Sequence, residues 1–167
     1  MTTVSVLFGK VSHLHDVTRI YNQAIKSGTA TGDINEFSTD QRHHWFEEFD
    51  ENNSPIYVAL LNDKVVGYTT LSPYRQGRGA FLNTAEISFF VEYNHHGKGI
   101  GSAMLSFVLD DCKRLKKDNL IAILLDINTQ SVGILKKFGF KQWGHMPEIA
   151  KFTDKVCGQY IYGKKIT

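Results

Sequence analysis

The feature that most constrains this chain is a strand-like segment that runs through a glycine-rich turn into a helix. Residues 86–101 read Glu-Ile-Ser-Phe-Phe-Val-Glu-Tyr-Asn-His-His-Gly-Lys-Gly-Ile-Gly, and a stretch with a helical apolar stripe follows directly. Glycines allow close approach of the backbone to a ligand, and the N–H groups and dipole of a helix N-terminus attract anions. Lys98 adds a mobile positive charge. This arrangement predicts a phosphate-binding turn.

Two common phosphate-binding motifs fit this turn poorly. A P-loop requires Gly-x-x-x-x-Gly-Lys-Ser/Thr, but Glu92 stands at the first glycine and Gly99 follows Lys98. A dinucleotide fingerprint requires Gly-x-Gly-x-x-Gly. Gly97 and Gly99 match its first two glycines, whereas Ser102 stands at the third, and the turn lies in the middle of the chain. The turn therefore does not match the nucleotide-binding motif of either class, and a different phosphate-binding motif is needed.

The rest of the chain alternates between the periods of strands and helices. We predict an α/β (α+β) fold, with helices on both faces of a mixed sheet. Ile87, Phe89 and Val91 should share one face of their strand, and Glu86, Ser88 and Phe90 the other. The predicted strands are 4–8, 56–61, 65–71, 85–93, 121–127, 141–143 and 159–166; the predicted helices begin at caps Ser12 and Ser38 or Thr39, after the glycine turn, and near Thr129.

Composition limits the protein class. The length of 167 residues predicts one domain, residues 1–167, and 42% hydrophobic residues suit a globular protein. A net charge of +2 argues against a nucleic-acid partner. No apolar run is long enough for a signal peptide or a membrane span, and two cysteines can stay reduced, so we expect a cytoplasmic protein without a membrane partner. Adjacent histidines, as at 43–44 and 95–96, point apart, so we expect no metal.

A third motif fits the turn better. The run His96-Gly97-Lys98-Gly99-Ile100-Gly101 resembles the Gln/Arg-x-x-Gly-x-Gly/Ala loop of the GCN5-related N-acetyltransferases (GNAT), with His96 at the Gln/Arg position. An ordered set of further segments is similar to the phosphinothricin N-acetyltransferase-like branch of that superfamily. These segments are Ile20-Tyr21-Asn22 with Ala24, 29–31, Trp45-Phe46, Gly67-Tyr68, 71–75, 86–91, Asn128 with Ser131, and 137–140.

The resemblance implies a GNAT fold, a mostly antiparallel twisted sheet, and acetyl-CoA as co-substrate without a metal. It implies that backbone groups in residues 89–91 meet the pantetheine arm and that residues 96–102 hold the pyrophosphate. The expected acetyl-CoA-binding residues are Phe89, Phe90, Val91, His96, Gly97, Lys98, Gly99, Ile100, Gly101, Ser102, Asn128, Ser131 and Lys137.

The resemblance also implies transfer of an acetyl group to the amine of a small amino-acid-like acceptor of the phosphinothricin or methionine sulfoximine type. Glu86 is the expected base, because an amine of pKa about 10.4 is almost wholly protonated at pH 7 and must lose a proton before it attacks. His145 is a second catalytic candidate near the substrate wall. Tyr74 and Arg75, with Glu86, are the expected substrate contacts. Arg42 and Arg78 are alternatives to Arg75 as a carboxylate clamp.

One residue departs from the family pattern. Many members carry Tyr, and this branch often His, four residues before the Gly of the Gly-Phe pair, where this chain has Leu135. Either the CoA thiolate leaves unassisted, or His145, Tyr160 or Tyr162 replaces the missing acid, or the enzyme is slow. Two alternative functions stay open: a non-catalytic CoA-binding or sensing module, and a protein amine acetyltransferase. A homodimer is also open, because the C-terminal strand could supply its interface.

Overall fold

The computed structural model describes residues 3–166, whose seven strands form one sheet. The strand order is β1-β2-β3-β4-β5-β7-β6, and every neighbouring pair is antiparallel except β4 with β5. This confirms the predicted mixed, mostly antiparallel sheet. The strands are β1 (Ser5–Phe8), β2 (Ile56–Leu61), β3 (Lys64–Pro73), β4 (Thr84–Val91), β5 (Asn119–Leu125), β6 (Lys141–Lys151) and β7 (Val156–Lys165).

Four α-helices cover the two faces of the sheet, as predicted. Val58 and Tyr68 pack with the buried face of α1, while Tyr57 packs on the other face with Leu105 and Leu135 of α3 and α4. Alternation along each strand sends neighbouring side chains to these two layers. The helices are α1 (Leu14–Ser27), α2 (Thr39–Glu47), α3 (Ile100–Asp111) and α4 (Thr129–Lys137).

Strand β4 divides its side chains between the layers as its sequence predicts. Ile87 and Phe89 pack in the core on the α3 side, and Phe90 packs with the α1 side. Glu86 and Ser88 have the same parity as Phe90, so they face the layer of α1 and α2. This assignment places the predicted base on the opposite side of the sheet from α3.

The sheet opens between β4 and β5. These strands pair only over Thr84–Glu86 of β4 and Asn119–Ile121 of β5, and the rest of each strand has no partner across this gap. Helix α3 follows β4 and helix α4 follows β5, so both helices begin beside the opening. The widest break in the hydrogen-bonded sheet therefore lies next to two helix N-termini.

Several predicted boundaries differ from the observed ones by a few residues, and two of these differences have an identifiable local cause. Ser12 was expected to cap α1, but it lies inside a 3₁₀ turn over Val11–His13, and His13 precedes the helix. Strand β6 runs to Lys151 rather than ending at Trp143, although it contains Pro147. It tolerates the proline because β6 is an edge strand whose register shifts between Met146 and Ala150.

Other local signals act as the sequence predicts. Ser38 and Gln41 form a reciprocal capping box at α2, with Ser38 Oγ accepting the Gln41 N–H at 3.2 Å. Gly139 adopts a left-handed φ of 81° directly after α4. Within residues 3–166, no helix is long and apolar enough to cross a bilayer, and no group of three or more His, Cys, Asp or Glu side chains could hold a metal ion.

Candidate active site

A cavity of about 550 Å³ occupies the opening between β4 and β5. Its walls come from the end of β4, the glycine turn, the first turns of α3 and α4, and the loop after α1. The lining residues are Thr29, Ala30, Phe89, Phe90, Val91, Tyr93, His95, His96, Gly97, Gly99, Ile100, Gly101, Ser102, Asn128, Thr129, Gln130, Ser131, Gly133, Ile134 and Lys137. We call it the β4–β5 cavity.

The backbone of β4 presents polar groups to this cavity. The N–H of Glu92 donates to the carbonyl of Val66 at 2.8 Å, so the even-numbered residues of this segment bond to β3. In an antiparallel ladder the intervening residues point their N–H and C=O groups away from that partner. Phe89 and Val91 therefore direct backbone donors and acceptors into the gap, where an extended amide-containing chain can pair with them as a strand would.

The glycine turn forms an open cradle at the N-terminus of α3. Gly97 and Gly99 have φ values of 74° and 79°, in the left-handed region that glycine favours. A Cβ added to either residue would meet no atom within 4 Å. Gly99 caps the helix without a side-chain bond, so the N–H groups of residues 100–102 have no intrahelical partner. This combination of free space, free donors and helix dipole fits a pyrophosphate.

Side chains brace the cradle on two sides. His96 Nε2 donates to the carbonyl of Val91 at 2.8 Å, which ties the turn to the end of β4. Lys137 Nζ lies 3.4 Å from Ser102 Oγ and so bridges α4 to the first turn of α3. Lys137 thereby brings a positive charge to the cradle, whereas Lys98 is exposed and does not line the cavity.

Asn128 stands where the chain leaves β5 and enters α4. Its Oδ1 accepts the Ser131 N–H at 3.2 Å, so the side chain caps the helix. With Oδ1 engaged, the Nδ2 group is the donor that the residue can offer to a carbonyl in the cavity. The cap fixes this amide directly across the gap from β4.

A second cavity, of about 400 Å³, lies on the α1–α2 side of the sheet. It shares the lining residues Ala30 and Phe90 with the β4–β5 cavity, so the two cavities are adjacent. We call it the acceptor-side cavity. Its lining residues are Tyr21, Ala30, Thr31, Gly32, Arg42, Trp45, Phe49, Tyr68, Thr70, Ser72, Ser88, Phe90, Ile123, Leu124, Leu125, Ile149, Ala150 and Gln159.

Glu86 does not line the acceptor-side cavity, but it lies next to residues that do. It pairs in register with Ser72, and both Ser72 and Ser88 on the same face line the cavity. The side chain is half-buried, and this burial raises the pKa of the carboxyl above its ordinary value. A carboxylate with a raised pKa is a stronger base than an exposed one.

The structure brings most predicted acetyl-CoA residues together. All of them line the β4–β5 cavity except Lys98. Sequence reasoning did not assign a ligand role to several other lining residues. Tyr93 and His95 were detectable only as neighbours of the turn, and Thr29 and Ala30 come from a distant loop. The glycine turn itself carried the signal that located the site.

Five predicted site residues line neither cavity: Tyr74, Arg75, Glu86, Lys98 and His145. Tyr74 and Arg75 follow β3, beyond Ser72, where Tyr74 packs edge-on against Phe81 at 5.6 Å and Arg75 is exposed. His145 Nε2 bonds to Asp126 Oδ2 at 3.0 Å, and this bond lowers the pKa of Asp126. The His145 ring also packs against Tyr160, with ring centres 4.8 Å apart. Tyr160 packs against the α3-side core, so His145 lies across the sheet from Glu86.

The residues considered for protonating the thiolate are placed as follows. Leu135 is fully buried and packs in the core beneath α4, so its apolar side chain serves the fold. Tyr162 is also buried in that core, and its ring packs against Tyr160 at 5.7 Å. Neither tyrosine lines a cavity.

Comparison with known proteins agrees with this geometry. The acetyltransferase (GNAT) family model matches residues 17–140. YwnH of Bacillus subtilis, described provisionally as a phosphinothricin acetyltransferase, is 32% identical over 155 residues, covering 92% of this chain and 94% of YwnH. The L-methionine sulfoximine/L-methionine sulfone acetyltransferase of Salmonella typhimurium is 29% identical over 146 residues, covering 87% and 85% of the two chains.

A solved structure extends the comparison to three dimensions. The phosphinothricin acetyltransferase of Sinorhizobium meliloti, crystallised in complex with acetyl-CoA, superimposes with a TM-score of 0.91 at 25% identity, covering 99% of this chain and 89% of that one. The family match spans strands β2 to β5, the glycine turn and α4. The chain belongs to the acetyltransferase (GNAT) family.

Proposed function

We propose that this chain is an acetyl-CoA-dependent N-acetyltransferase that acts directly on the amine of a small amino-acid-like acceptor. The observation that carries the proposal is the adjacency of two cavities, both lined by Ala30 and Phe90, at the opening in the sheet. One cavity has the groups that suit a pyrophosphate and an amide chain, and Glu86 lies beside the other, paired in register with its lining residue Ser72. Relatives named for phosphinothricin and methionine sulfoximine acetylation support this class of acceptor.

Acetyl-CoA supplies an activated thioester when it is bound. The N–H groups of residues 100–102, Lys137 and the cradle around Gly97 and Gly99 hold its pyrophosphate. The outward backbone groups of Phe89 and Val91 pair with the pantetheine amides, and Asn128 donates to the same arm from across the gap. These contacts direct the reacting end towards Phe90, which lines both cavities.

Glu86 removes the proton that keeps the acceptor amine unreactive. Ser88 lies between Glu86 and Phe90 on the same face of β4. The carboxylate therefore takes the proton from the amine either directly or through one bridging water. A positioned base of this kind contributes about 10²–10⁴-fold to the rate. The N–H of Val91, or a neighbouring backbone N–H in the gap, stabilises the charge that develops on the acyl oxygen.

CoA leaves as a thiolate without a tyrosine or histidine at the position of Leu135. A thiol has a pKa of about 8.5, so its conjugate base is an acceptable leaving group near neutral pH. His145 is not part of this proposal, because Asp126 and Tyr160 hold it on the other side of the sheet from Glu86. In this mechanism Glu86 is the base, and no side chain is assigned to protonate the departing CoA thiolate.

The test is a thiol-release assay with purified protein, acetyl-CoA and a panel of phosphinothricin, methionine sulfoximine, free amino acids, polyamines and an amine-bearing peptide. We expect amine-dependent release with the amino-acid analogues. Glu86→Gln should reduce turnover by about 10²–10⁴-fold and leave CoA affinity unchanged. Glu51→Gln, at an exposed turn, is the matched control.

Three outcomes separate the alternatives. CoA binding without release by any amine would contradict the proposal and favour a CoA-binding or sensing module. Release with the peptide alone would favour a protein amine acetyltransferase. Absence of both CoA binding and release would contradict the assignment of the cradle itself.

We also propose that the protein works as a homodimer in the cytoplasm. Strand β6 is a sheet edge that carries exposed Trp143, Met146 and Ile149, and such an edge is suited to association. Cys112 and Cys157 are both free and buried, as a reducing compartment allows. Analytical ultracentrifugation tests the assembly: a wild-type dimer that Trp143→Glu converts to a monomer is expected, and a wild-type monomer would contradict it.

A further inference from the structure

The acceptor-side cavity contains a buried arginine that has no acidic partner. Arg42 is only 6% exposed, yet it lines this cavity. Its Nε is buried and hydrogen-bonds to no group, and no carboxylate within residues 3–166 lies within ion-pair distance of it. By contrast, Arg19 pairs with Glu92, and Arg114 pairs with Asp111. A buried guanidinium without an anion is unusual because its desolvation is costly.

Aromatic rings hold this guanidinium in one position. Its Cζ lies 3.7 Å from the ring centre of Trp45 and 4.2 Å from that of Tyr21, with Phe37 at 5.5 Å. Aromatic faces stabilise a cation and lower the cost of burying it. They accept no directional hydrogen bonds from the edge of the guanidinium. The buried Tyr68 hydroxyl is a neutral oxygen acceptor beside Arg42, and the remaining donors of the fork suit an oxyanion.

The nearby acidic group is occupied elsewhere. Asp33 is exposed, and it accepts a hydrogen bond from the hydroxyl of Tyr21, which also lies 2.9 Å from Thr31 Oγ1. The Tyr21 ring thus stacks against Arg42 while its hydroxyl engages Asp33. No described side chain therefore supplies the oxyanion that the geometry of Arg42 suits.

Arg42 and Glu86 lie at opposite ends of a line of residues on the α1–α2 face of the sheet. Arg42 contacts Tyr21 and Trp45 above Tyr68, which pairs in register with Phe90, whereas Glu86 pairs with Ser72. Phe90 and Glu86 are four residues apart on one strand, which corresponds to roughly 13 Å. The polar side chains of Thr70 and Ser88 lie between these two ends.

We infer that Arg42 is the substrate-anchoring residue of this cavity, and that it binds an oxyanion of the acceptor, a carboxylate or a phosphinate. The inference rests on the proposed function and adds the residue that selects the acceptor. An oxyanion held at Arg42 directs the rest of the acceptor along Thr70 and Ser88, towards Glu86. Arg42 thereby replaces exposed Arg75 as the clamp.

The experiment measures kcat/KM for three acceptors in each variant. Methionine sulfone carries an α-carboxylate, its carboxamide carries none, and phosphinothricin carries a carboxylate and a phosphinate. Two ratios of kcat/KM are compared: the sulfone over its carboxamide, and phosphinothricin over the sulfone. In Arg42→Met, we expect one of these ratios to fall about 10- to 100-fold. The first ratio identifies the α-carboxylate as the bound group, and the second identifies the phosphinate. Because the carboxamide alters the amine pKa equally in every variant, the change in ratio is the readout.

Matched variants distinguish this role from a structural one. Arg42→Lys keeps the charge but loses the fork, so it should recover part of the preference. Lys113→Met removes an exposed charge far from the cavity and should leave the ratios unchanged. Unaltered CoA affinity in Arg42→Met would show that the variant folds, and if it does not fold, Arg42→Lys and Arg42→Gln supply the same ratios.

Two results would overturn the inference. Unchanged acceptor ratios in a folded Arg42 variant would assign the residue to packing alone. Collapse of the ratios in Arg75→Met, with Arg42→Met unaffected, would transfer the anchor to the loop after β3. Calorimetric titration of each acceptor into CoA-saturated protein gives the same comparison without turnover, so a failed N-acetyltransferase assay leaves this test intact.

Discussion

His96 Nε2 donates a hydrogen bond to the carbonyl oxygen of Val91 at 2.8 Å, joining the glycine turn to the strand that precedes it. The carbonyl belongs to the set of β4 groups that point into the gap, so the histidine shapes the corner where strand and cradle meet. The family motif has glutamine or arginine at this position. All three side chains can donate to a carbonyl oxygen, which gives a physical reason for their exchange.

His96→Ala should weaken acetyl-CoA binding by about 2- to 10-fold, since it removes one hydrogen bond that holds the cradle. His96→Gln should retain most of the affinity, because its amide can donate to the same carbonyl. Isothermal titration with CoA measures both. Equal affinity in His96→Ala and wild type would show that the turn holds its shape without this bond.

Gly99→Ala should reduce both stability and CoA affinity. The residue has a φ of 79°, and a left-handed conformation costs an alanine roughly 1–2 kcal/mol. Its Cβ would also stand in the open cradle. Gly79→Ala is the control, because Gly79 lies outside the left-handed region and has the same open surroundings. Gly99→Ala should have a lower melting temperature and a weaker CoA affinity than Gly79→Ala, as measured by thermal denaturation and CoA titration. Similar values for the two variants would contradict the assignment of the glycine turn as the pyrophosphate cradle.

The pH dependence of kcat/KM should report on Glu86. Burial raises the pKa of its carboxyl, and the base acts only when ionised, so activity should rise with pH through a limb above the ordinary glutamate range. Glu86→Gln should lose this limb and keep only the limb of the acceptor amine. An unchanged profile in the variant would remove Glu86 from the proton transfer.

Glu86 should also make the stability of the fold depend on pH, with stability falling as pH rises whereas activity increases. Because the pKa is higher in the folded protein than in the unfolded chain, the favourable contribution of Glu86 is present at low pH and is lost as pH rises through the folded pKa. Glu86→Gln should therefore melt at a higher temperature than wild type at pH 8, and at a similar temperature at pH 4. Differential scanning calorimetry checks the difference; a lower melting temperature at pH 8 would contradict it.

His145→Ala should keep most of the turnover, in contrast to Glu86→Gln. Its ring is held by Asp126 and Tyr160 on the α3 side of the sheet, away from both cavities. We expect a loss of less than about tenfold, which is below the contribution of a positioned acid or base. Steady-state kinetics measures it, and a loss of a hundredfold would return His145 to the catalytic groups.

Tyr57→Phe should lower stability without altering kinetics. The Tyr57 hydroxyl donates to Asp111 Oδ2 at 2.6 Å in the core under α3, and Asp111 also pairs with Arg114. Loss of a buried hydrogen bond to a carboxylate costs about 1–2 kcal/mol. Urea denaturation gives the free energy of unfolding. A change in acetyl-CoA KM would show that this core contact reaches the cradle.

Local signals in the sequence were sufficient for the secondary structure and for the cradle. The alternation of Ile87, Ser88 and Phe89 and the left-handed glycines at 97 and 99 depend on neighbouring residues alone. Boundaries that depend on tertiary context were less predictable. Strand β6 continues through Pro147 because it is the edge strand of the sheet. The residues around the proline do not reveal that the strand lies at the edge.

The functional side chains divide in the same way. Gly97, Gly99 and Asn128 act through backbone conformation and capping, which are short-range effects, so motif and spacing located them. The sequence favours Arg75 as the carboxylate clamp, with Arg42 and Arg78 as alternatives. Arg42 is distinguished only by its burial against Tyr21, which belongs to another helix.

The sequence by itself determined the elements, the two-faced character of β4 and the anion cradle, because dihedral preferences and side-chain periodicity act over a few residues. Only the tertiary structure decided where pairing between β4 and β5 ends, which opens the sheet after Glu86 and Ile121. Only it decided that Arg42 is enclosed without a carboxylate and that His145 faces away from Glu86. These outcomes depend on burial and charge pairing between segments far apart in the chain.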